Sequence, residues 1–182
     1  YFSPDQKIHI VANLPYYITA PILMKLLSEK LPIENMTIMI QKEVANRMAA
    51  TPNNKNYGSL SIAIQYYTYA EVVMNVPRTV FRPEPNVDSS VLRLTLRKKP
   101  PVHVMDEDLF FTIIRASFTH RRKTIRNNLN RFFKNTYTKI ELTHIFEQAD
   151  IDGSCRGESL DINEFAQLAN VFHSLKKEDK LK

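Results

Sequence analysis

Apolar residues along this chain follow two different periods, and the change from one to the other divides it. Near the start they come in short, nearly unbroken runs, Ile8-His9-Ile10-Val11-Ala12 and Met36-Thr37-Ile38-Met39-Ile40. Such runs predict strands buried on both faces, as in parallel sheets. Between them Ile22, Leu23, Leu26 and Leu27 recur at helical spacing. This predicts a helix capped by Thr19, with Pro21 in its first turn, ending near Lys30 before Pro32. A second helix is expected over about Gln41 to Ala50. The order βαβα implies a parallel sheet covered by helices.

Thr51 to Tyr57 is a polar, Asn-rich loop. Ser59 to Tyr67 fits helix or strand by period and reads as helix, because Ser59 can cap it and the next apolar run needs a crossover. Glu71 to Val76 predicts a strand. Val91-Leu92-Arg93-Leu94-Thr95-Leu96 alternates apolar and polar, as an edge strand joined to the preceding one in a hairpin would. Pro77, Pro83 and Pro85 exclude regular structure between the two. Lys98-Lys99-Pro100-Pro101 reads as a linker. Beyond it the period is helical: Phe111, Ile114, Phe118, Ile125, Leu129 and Phe132 predict a mainly helical stretch from Phe111 to Phe133, followed by helices over Lys139 to Gln148 and Asp161 to Leu175. Two domains follow, 1–99 and 100–182.

Composition narrows the function classes. With 43% hydrophobic residues in 182, the chain can bury a core. No apolar run approaches the roughly 20 residues that span a bilayer, and nothing reads as a signal peptide. A single cysteine, Cys155, excludes an internal disulfide framework and fits a reducing cytoplasm. The chain opens at Tyr1 without methionine, a few residues before what reads as an interior strand, so a longer protein is expected. The net charge of +6 favours polyanionic partners, and it is focused: Arg115, Arg121, Arg122, Lys123, Arg126, Arg131 and Lys134 lie in one stretch with no acidic residue. Only Gly58, Gly153 and Gly157 are glycines, so no Gly-rich nucleotide loop can be built. The five histidines are scattered without metal-ligand spacing, so no metal is expected. Asp150-Ile151-Asp152-Gly153 lacks the spacing of a calcium loop, and no Ser-His-Asp or Cys-His pattern is present.

Candidate chemistry concentrates just past the first strand, where ligands of open α/β sheets bind. Asn13-Leu14-Pro15-Tyr16 offers an amide oxygen, a carbonyl held by proline, and a ring face. Together these suit a flipped-out base with an exocyclic amine, such as adenine stacked on Tyr16 with its amino hydrogens toward Asn13 Oδ1 and the Leu14 carbonyl. The lone pair of an aromatic amine is delocalised into its ring. Two acceptors localise it and stabilise the positive charge that develops during attack on a methyl group.

Asn13-Leu14-Pro15-Tyr16 resembles the fourth motif of the S-adenosylmethionine-dependent rRNA adenine N6 methyltransferases. Val80-Phe81-Arg82-Pro83-Glu84-Pro85-Asn86-Val87-Asp88-Ser89 is similar to that family's aromatic loop, in which Phe81 would pack on the target adenine opposite Tyr16. The segments Ala116 to Leu129 and Arg156-Gly157-Glu158-Ser159-Leu160 resemble C-terminal signatures of the small-subunit dimethyltransferase branch. The resemblance implies the second half of a Rossmann-like methyltransferase sheet followed by a small all-α domain that binds RNA. It implies Asn13, Leu14, Pro15, Tyr16 and Phe81 as catalytic residues, with Asn13 also at the edge of the S-adenosylmethionine site. The rest of that site belongs to an N-terminal half that this sequence does not contain. The chain alone is therefore expected neither to bind the cofactor well nor to turn over.

The implied substrate is two adjacent adenines near the 3′ end of small-subunit rRNA, methylated during ribosome biogenesis. Two alternatives stay open: a large-subunit macrolide-resistance methyltransferase, which shares the same two motifs, and a non-catalytic RNA-binding assembly factor. If Phe111 to Phe133 is one helix, Arg115, Arg122 and Arg126 share a sector of roughly 40°. With His120, Arg121 and Lys123 they form the expected RNA-backbone contact.

Overall fold

The computed structural model describes residues 6–29 and 31–178. The expected helix end at Lys30 and the chain start at Tyr1 lie outside the described residues. In order, the elements are β1 (Ile8–Asn13), α1 (Thr19–Ser28), β2 (Ile33–Gln41), α2 (Lys42–Met48), α3 (Ser59–Tyr67), β3 (Thr68–Val76), β4 (Ser89–Leu96), α4 (Glu107–Ser117), α5 (Ile125–Phe132), α6 (Lys139–Gln148) and α7 (Ile162–Glu178). They group into two compact units, one of residues 1–50 and 60–101, the other of residues 51–59 and 102–182.

The first unit is a four-stranded sheet in the order β1-β2-β4-β3. β1 and β2 pair in parallel across the α1 crossover, whereas β4 is antiparallel to both β2 and β3. The hairpin of β3 and β4 is present, but β4 is not the edge expected of it. It pairs on both sides, with Leu92 facing Ile38 of β2 and Val72 of β3, and β3 is the edge instead. Alternation reports how many faces of a strand are covered, not how many neighbours it has. β1 also departs from its expectation, since it buries one face only. Ile8, Ile10 and Ala12 turn toward the core while Val11 on the other face is 84% exposed. Leu23 and Leu27 of α1, Met36, Ile38 and Ile40 of β2, and Leu92 and Leu94 of β4 fill the core.

Thr19 does not cap α1. Ile18 holds the N-cap position, and the Thr19 hydroxyl, inside the first turn, donates to the Pro15 carbonyl at 3.0 Å. α3 is a helix, as its serine start and the required crossover predict, and it runs directly into β3.

The second unit is helical, with buried Phe110, Ile114, Leu129, Phe146, Phe165 and Phe172 among its core. The expected continuous helix from Phe111 to Phe133 is two helices. α4 stops at Ser117, a turn carries residues 118–124, and Thr124 starts α5 by accepting a hydrogen bond from the Asn127 backbone N–H at 3.2 Å. The buried Asn128 carboxamide holds that turn, donating to the Ser117 and His120 carbonyls at 2.8 and 3.2 Å. α6 spans the predicted residues because Thr138 and Glu141 form a reciprocal capping box.

The polar loop Thr51–Ser59 belongs with these helices. Tyr57 is 2% exposed and sets its ring edge-on to Phe118 at 6.2 Å. Burial pushes its phenol well above the usual range, with Asp161 and Glu164 adding to the shift. Asn53 donates its backbone N–H to the Glu158 carbonyl at 2.8 Å, and the Arg121 guanidinium donates to the Lys55 and Tyr57 carbonyls at 2.7 and 2.8 Å.

Candidate base-binding cleft and cationic surface

The end of β1 is continued past Asn13 by the Leu14 N–H, which donates to the Met39 carbonyl at 3.2 Å. Pro15 then turns the chain out of the sheet with φ −58° and ψ 132°, and Tyr16–Ile18 form one tight turn into α1. The Pro15 carbonyl is occupied by two donors, the Ile18 N–H at 3.2 Å and the Thr19 hydroxyl. The exposed Asn13 carboxamide has no hydrogen bond to any described residue. Its amide is thus free to meet a ligand, on backbone that is fixed on both sides.

The facing wall comes from the loop between β3 and β4. The Arg78 backbone N–H donates to the Asp88 carboxylate at 3.1 Å, and the Arg78 guanidinium pairs with Glu84 at 3.1 Å. Asp88 is held in turn by the Lys42 N–H, which donates to its carbonyl at 3.0 Å. Within this closed loop the Phe81 N–H donates to the Arg78 carbonyl at 3.2 Å, and the Arg82–Pro83 bond is cis.

The two walls enclose a cleft of about 370 Å³ lined by Asn13, Leu14, Pro15, Tyr16, Phe81, Pro83 and Pro85. That volume lies within the roughly 300–1,000 Å³ of small-ligand sites. All five residues named catalytic from sequence line it, together with two prolines not so named. Ser89, the first residue of β4, is a further participant: its hydroxyl lies 2.9 Å from the Tyr16 hydroxyl. Only its place at the end of the loop motif marked it in the sequence. A larger hollow of about 500 Å³ over α1 is lined by Ile18, Pro21, Ile22, Leu26 and Leu31 with Lys25 and Glu29 at its rim. It brings no convergent polar groups together.

The cleft offers one amide, one carbonyl and two rings. The three glycines all lie in the second unit, and none follows a strand. The described residues therefore form no glycine-rich loop for a nucleotide-like cofactor. Among the described residues no group of three or more His, Cys, Asp or Glu could hold a metal ion, and no helix is long and apolar enough to cross a membrane.

The structure does not bring the six candidate RNA-binding residues into one row. Arg115 stands on α4, His120 to Lys123 in the turn, and Arg126 on α5, so the shared sector requires a helix that is broken at residue 118. Arg121 is occupied by the two loop carbonyls and by Glu158 at 3.4 Å. Arg126 is half-buried, its guanidinium 5.6 Å from the centre of the Phe146 ring and its Nε without a hydrogen-bond partner among the described residues. Arg115, His120, Arg122 and Lys123 are exposed.

The sequence matches the family model of ribosomal RNA adenine dimethylase over residues 1–168. It is 61% identical over 173 residues to ribosomal RNA small subunit methyltransferase A of Oceanobacillus iheyensis, covering 95% of this chain and 59% of that protein. Against the protein of the same name from Geobacillus sp. (strain WCH70) it is 59% identical over 171 residues, covering 93% and 59%. The chain thus spans about three-fifths of the length of the curated relatives it matches. A crystal structure of a dimethyladenosine transferase from Plasmodium falciparum superposes with a TM-score of 0.75 at 27% identity, over 98% of this chain and 70% of that one. The 23S rRNA methyltransferase ErmE shares the fold, with a TM-score of 0.63 at 24% identity over 94% and 67%.

Proposed function

We propose, because the chain belongs to the ribosomal RNA adenine dimethylase family, that the protein dimethylates N6 of two adjacent adenines near the 3′ end of small-subunit rRNA. The observation that carries this reading is the cleft in which Asn13, Leu14, Pro15 and Tyr16 meet Phe81. A flipped adenine stacks between the Tyr16 and Phe81 rings. Its amino hydrogens are accepted by Asn13 Oδ1 and the Leu14 carbonyl, which localises the nitrogen lone pair and stabilises positive charge on N6 as it is alkylated. Neither acceptor needs to remove a proton beforehand. S-adenosylmethionine, the family's cofactor, supplies the methyl group. In this chain only Asn13 is offered for its edge.

Substrate choice rests on the relatives, whose names are small-subunit ones, whereas the large-subunit enzyme shares the fold alone. A substrate assembled in the cytoplasm places the enzyme there. Arg115, His120, Arg122 and Lys123 hold the RNA backbone, contributing affinity and register rather than sequence reading.

Transfer of labelled methyl groups into immature small ribosomal subunits by the full-length gene product tests the reading. Asn13→Ala should lower the rate by about 100-fold, the usual cost of one preorganised transition-state hydrogen bond. A rate that survives this change would refute the role of Asn13, whereas no transfer by the wild-type protein would favour the non-catalytic assembly factor. Methylation of naked large-subunit rRNA in place of small subunits would overturn the substrate.

A further inference from the structure

The cleft walls come from segments far apart in sequence, and one direct side-chain bond joins them. The Tyr16 hydroxyl and Ser89 Oγ lie 2.9 Å apart across a separation of 73 residues. Ser89 is fully buried and is the first residue of β4, where its backbone is paired on both sides, with Gln41 of β2 and Val76 of β3. Tyr16 stands in a single tight turn between two prolines, Pro15 and Pro21, and its ring lines the cleft. A tyrosine ring is positioned by χ1 and χ2, and χ2 of an aromatic residue lies in a broad well. A bond at the far end of the ring removes that freedom.

We infer that Ser89 is a positioning residue for the base: by holding the Tyr16 hydroxyl it fixes the ring face on which the flipped adenine stacks, before RNA arrives. This rests on the reading of the cleft as an adenine site. It assigns the Tyr16 hydroxyl a partner within the protein, so the hydroxyl has no part in proton transfer and the ring is the portion that meets the substrate. The geometry also accounts for a buried hydroxyl at the start of β4. An unpaired hydroxyl there would be unfavourable, whereas paired with Tyr16 it orders the site.

The test compares Ser89→Ala, Tyr16→Phe and the double variant in the full-length gene product. Three readouts are taken: kcat and KM for methyl transfer, melting temperature, and the fluorescence of 2-aminopurine placed at the target adenine of an RNA hairpin. Each single variant should lower kcat about fivefold, the equilibrium worth of one neutral hydrogen bond. The double variant should lose no more than either single. The 2-aminopurine emission of both singles should rise relative to wild type, as a base on a loose ring is less quenched, while the pH profile of kcat keeps its shape. Ser89→Ala and Tyr16→Phe losses that multiply in the double variant, or 2-aminopurine quenching that Ser89→Ala leaves unchanged, would overturn the proposal. Where Ser89→Ala melts too low to assay, Tyr16→Phe alone carries the decision, since it removes the same bond from the exposed side. A wild-type protein that leaves adenine unmethylated sinks the proposed function, whereas an active wild type with unaltered single variants sinks only the role of Ser89.

Discussion

Arg121 and Arg122 are neighbours in a run of basic residues that composition cannot tell apart, and the structure separates them sharply. Arg121 donates two charge-assisted hydrogen bonds to the carbonyls of Lys55 and Tyr57 and pairs with Glu158. Truncation to alanine removes all three. The Lys55 carbonyl is on an exposed residue and water can replace the guanidinium there, but the Tyr57 carbonyl belongs to a residue 2% exposed. Each bond to a charged donor is worth about 1.5–3 kcal/mol when dry, and half-exposed ones fall below that range. The Glu158 pair, with side chains 49% and 30% exposed, adds less than about 1 kcal/mol. A loss of about 2 kcal/mol is therefore expected for Arg121→Ala, lowering the melting temperature by about 4–8 °C for a chain of this size. Arg122 has no ion pair or hydrogen bond among the described residues, so Arg122→Ala should leave stability within about 0.5 kcal/mol. Its effect should appear in RNA binding, where the slope of log affinity against log salt should flatten by about one unit. Calorimetric melting of both variants, with filter binding of a small-subunit RNA hairpin at several salt concentrations, measures both quantities. An Arg121→Ala chain that melts like wild type while its salt slope flattens would refute the assignment of Arg121 to the loop.

A Cβ built on Gly153 would stand 2.5 Å from Arg126 Nε and 3.1 Å from its Cζ, so Gly153→Ala should destabilise by about 1–3 kcal/mol in urea unfolding, and combining it with Arg126→Ala should cost less than the sum of the two. Isothermal titration of the 182-residue chain with S-adenosylmethionine should show no binding in the micromolar range, because the first unit has no glycine with which to shape a cofactor loop; a micromolar isotherm would contradict this. The Cys155 thiol is pushed up chiefly by burial, so at pH 8 it should react with iodoacetamide more slowly than a free cysteine, and faster labelling would count against its half-buried position.

Features fixed by neighbours in sequence could be read from it. Thr138 and Glu141 lie three residues apart and cap α6 at the start that the apolar period predicts. Asn13 to Tyr16 and Phe81 carry prolines that set their own backbone, and both segments reach the cleft as the two motifs suggest. Features fixed by distant pairing could not. The alternation of Val91 to Leu96 shows that one face is packed, yet it is equally compatible with one neighbouring strand or two. The break between α4 and α5 was hidden for another reason. Phe118 and Ile125 are seven residues apart, close to two helical turns, so the apolar period keeps its phase across a turn of that length. Thr124, with Asn127 three residues on, was the available sign of a new helix start. The roles of Arg121 and Ser89 depend on partners 37 and 73 residues away, and no local pattern reports them.

The sheet order β1-β2-β4-β3 puts the strand that is translated last between two that are translated earlier. Until residues 89–96 have been synthesised, β2 and β3 lack the partner they share, and the hydrogen-bonding groups that will face it are bare. A nascent chain that ends at Phe81 thus carries every ring and amide of the cleft without the cleft, since its walls are drawn together only when β4 inserts. Closing a loop of such length has an entropic cost that grows slowly with its length and must be met before the inserted strand is rewarded by pairing on both sides. Insertion of β4 is then the step that couples folding to the assembly of the site, and pulse-labelled amide exchange should find β2 and β3 gaining protection together with β4 rather than before it.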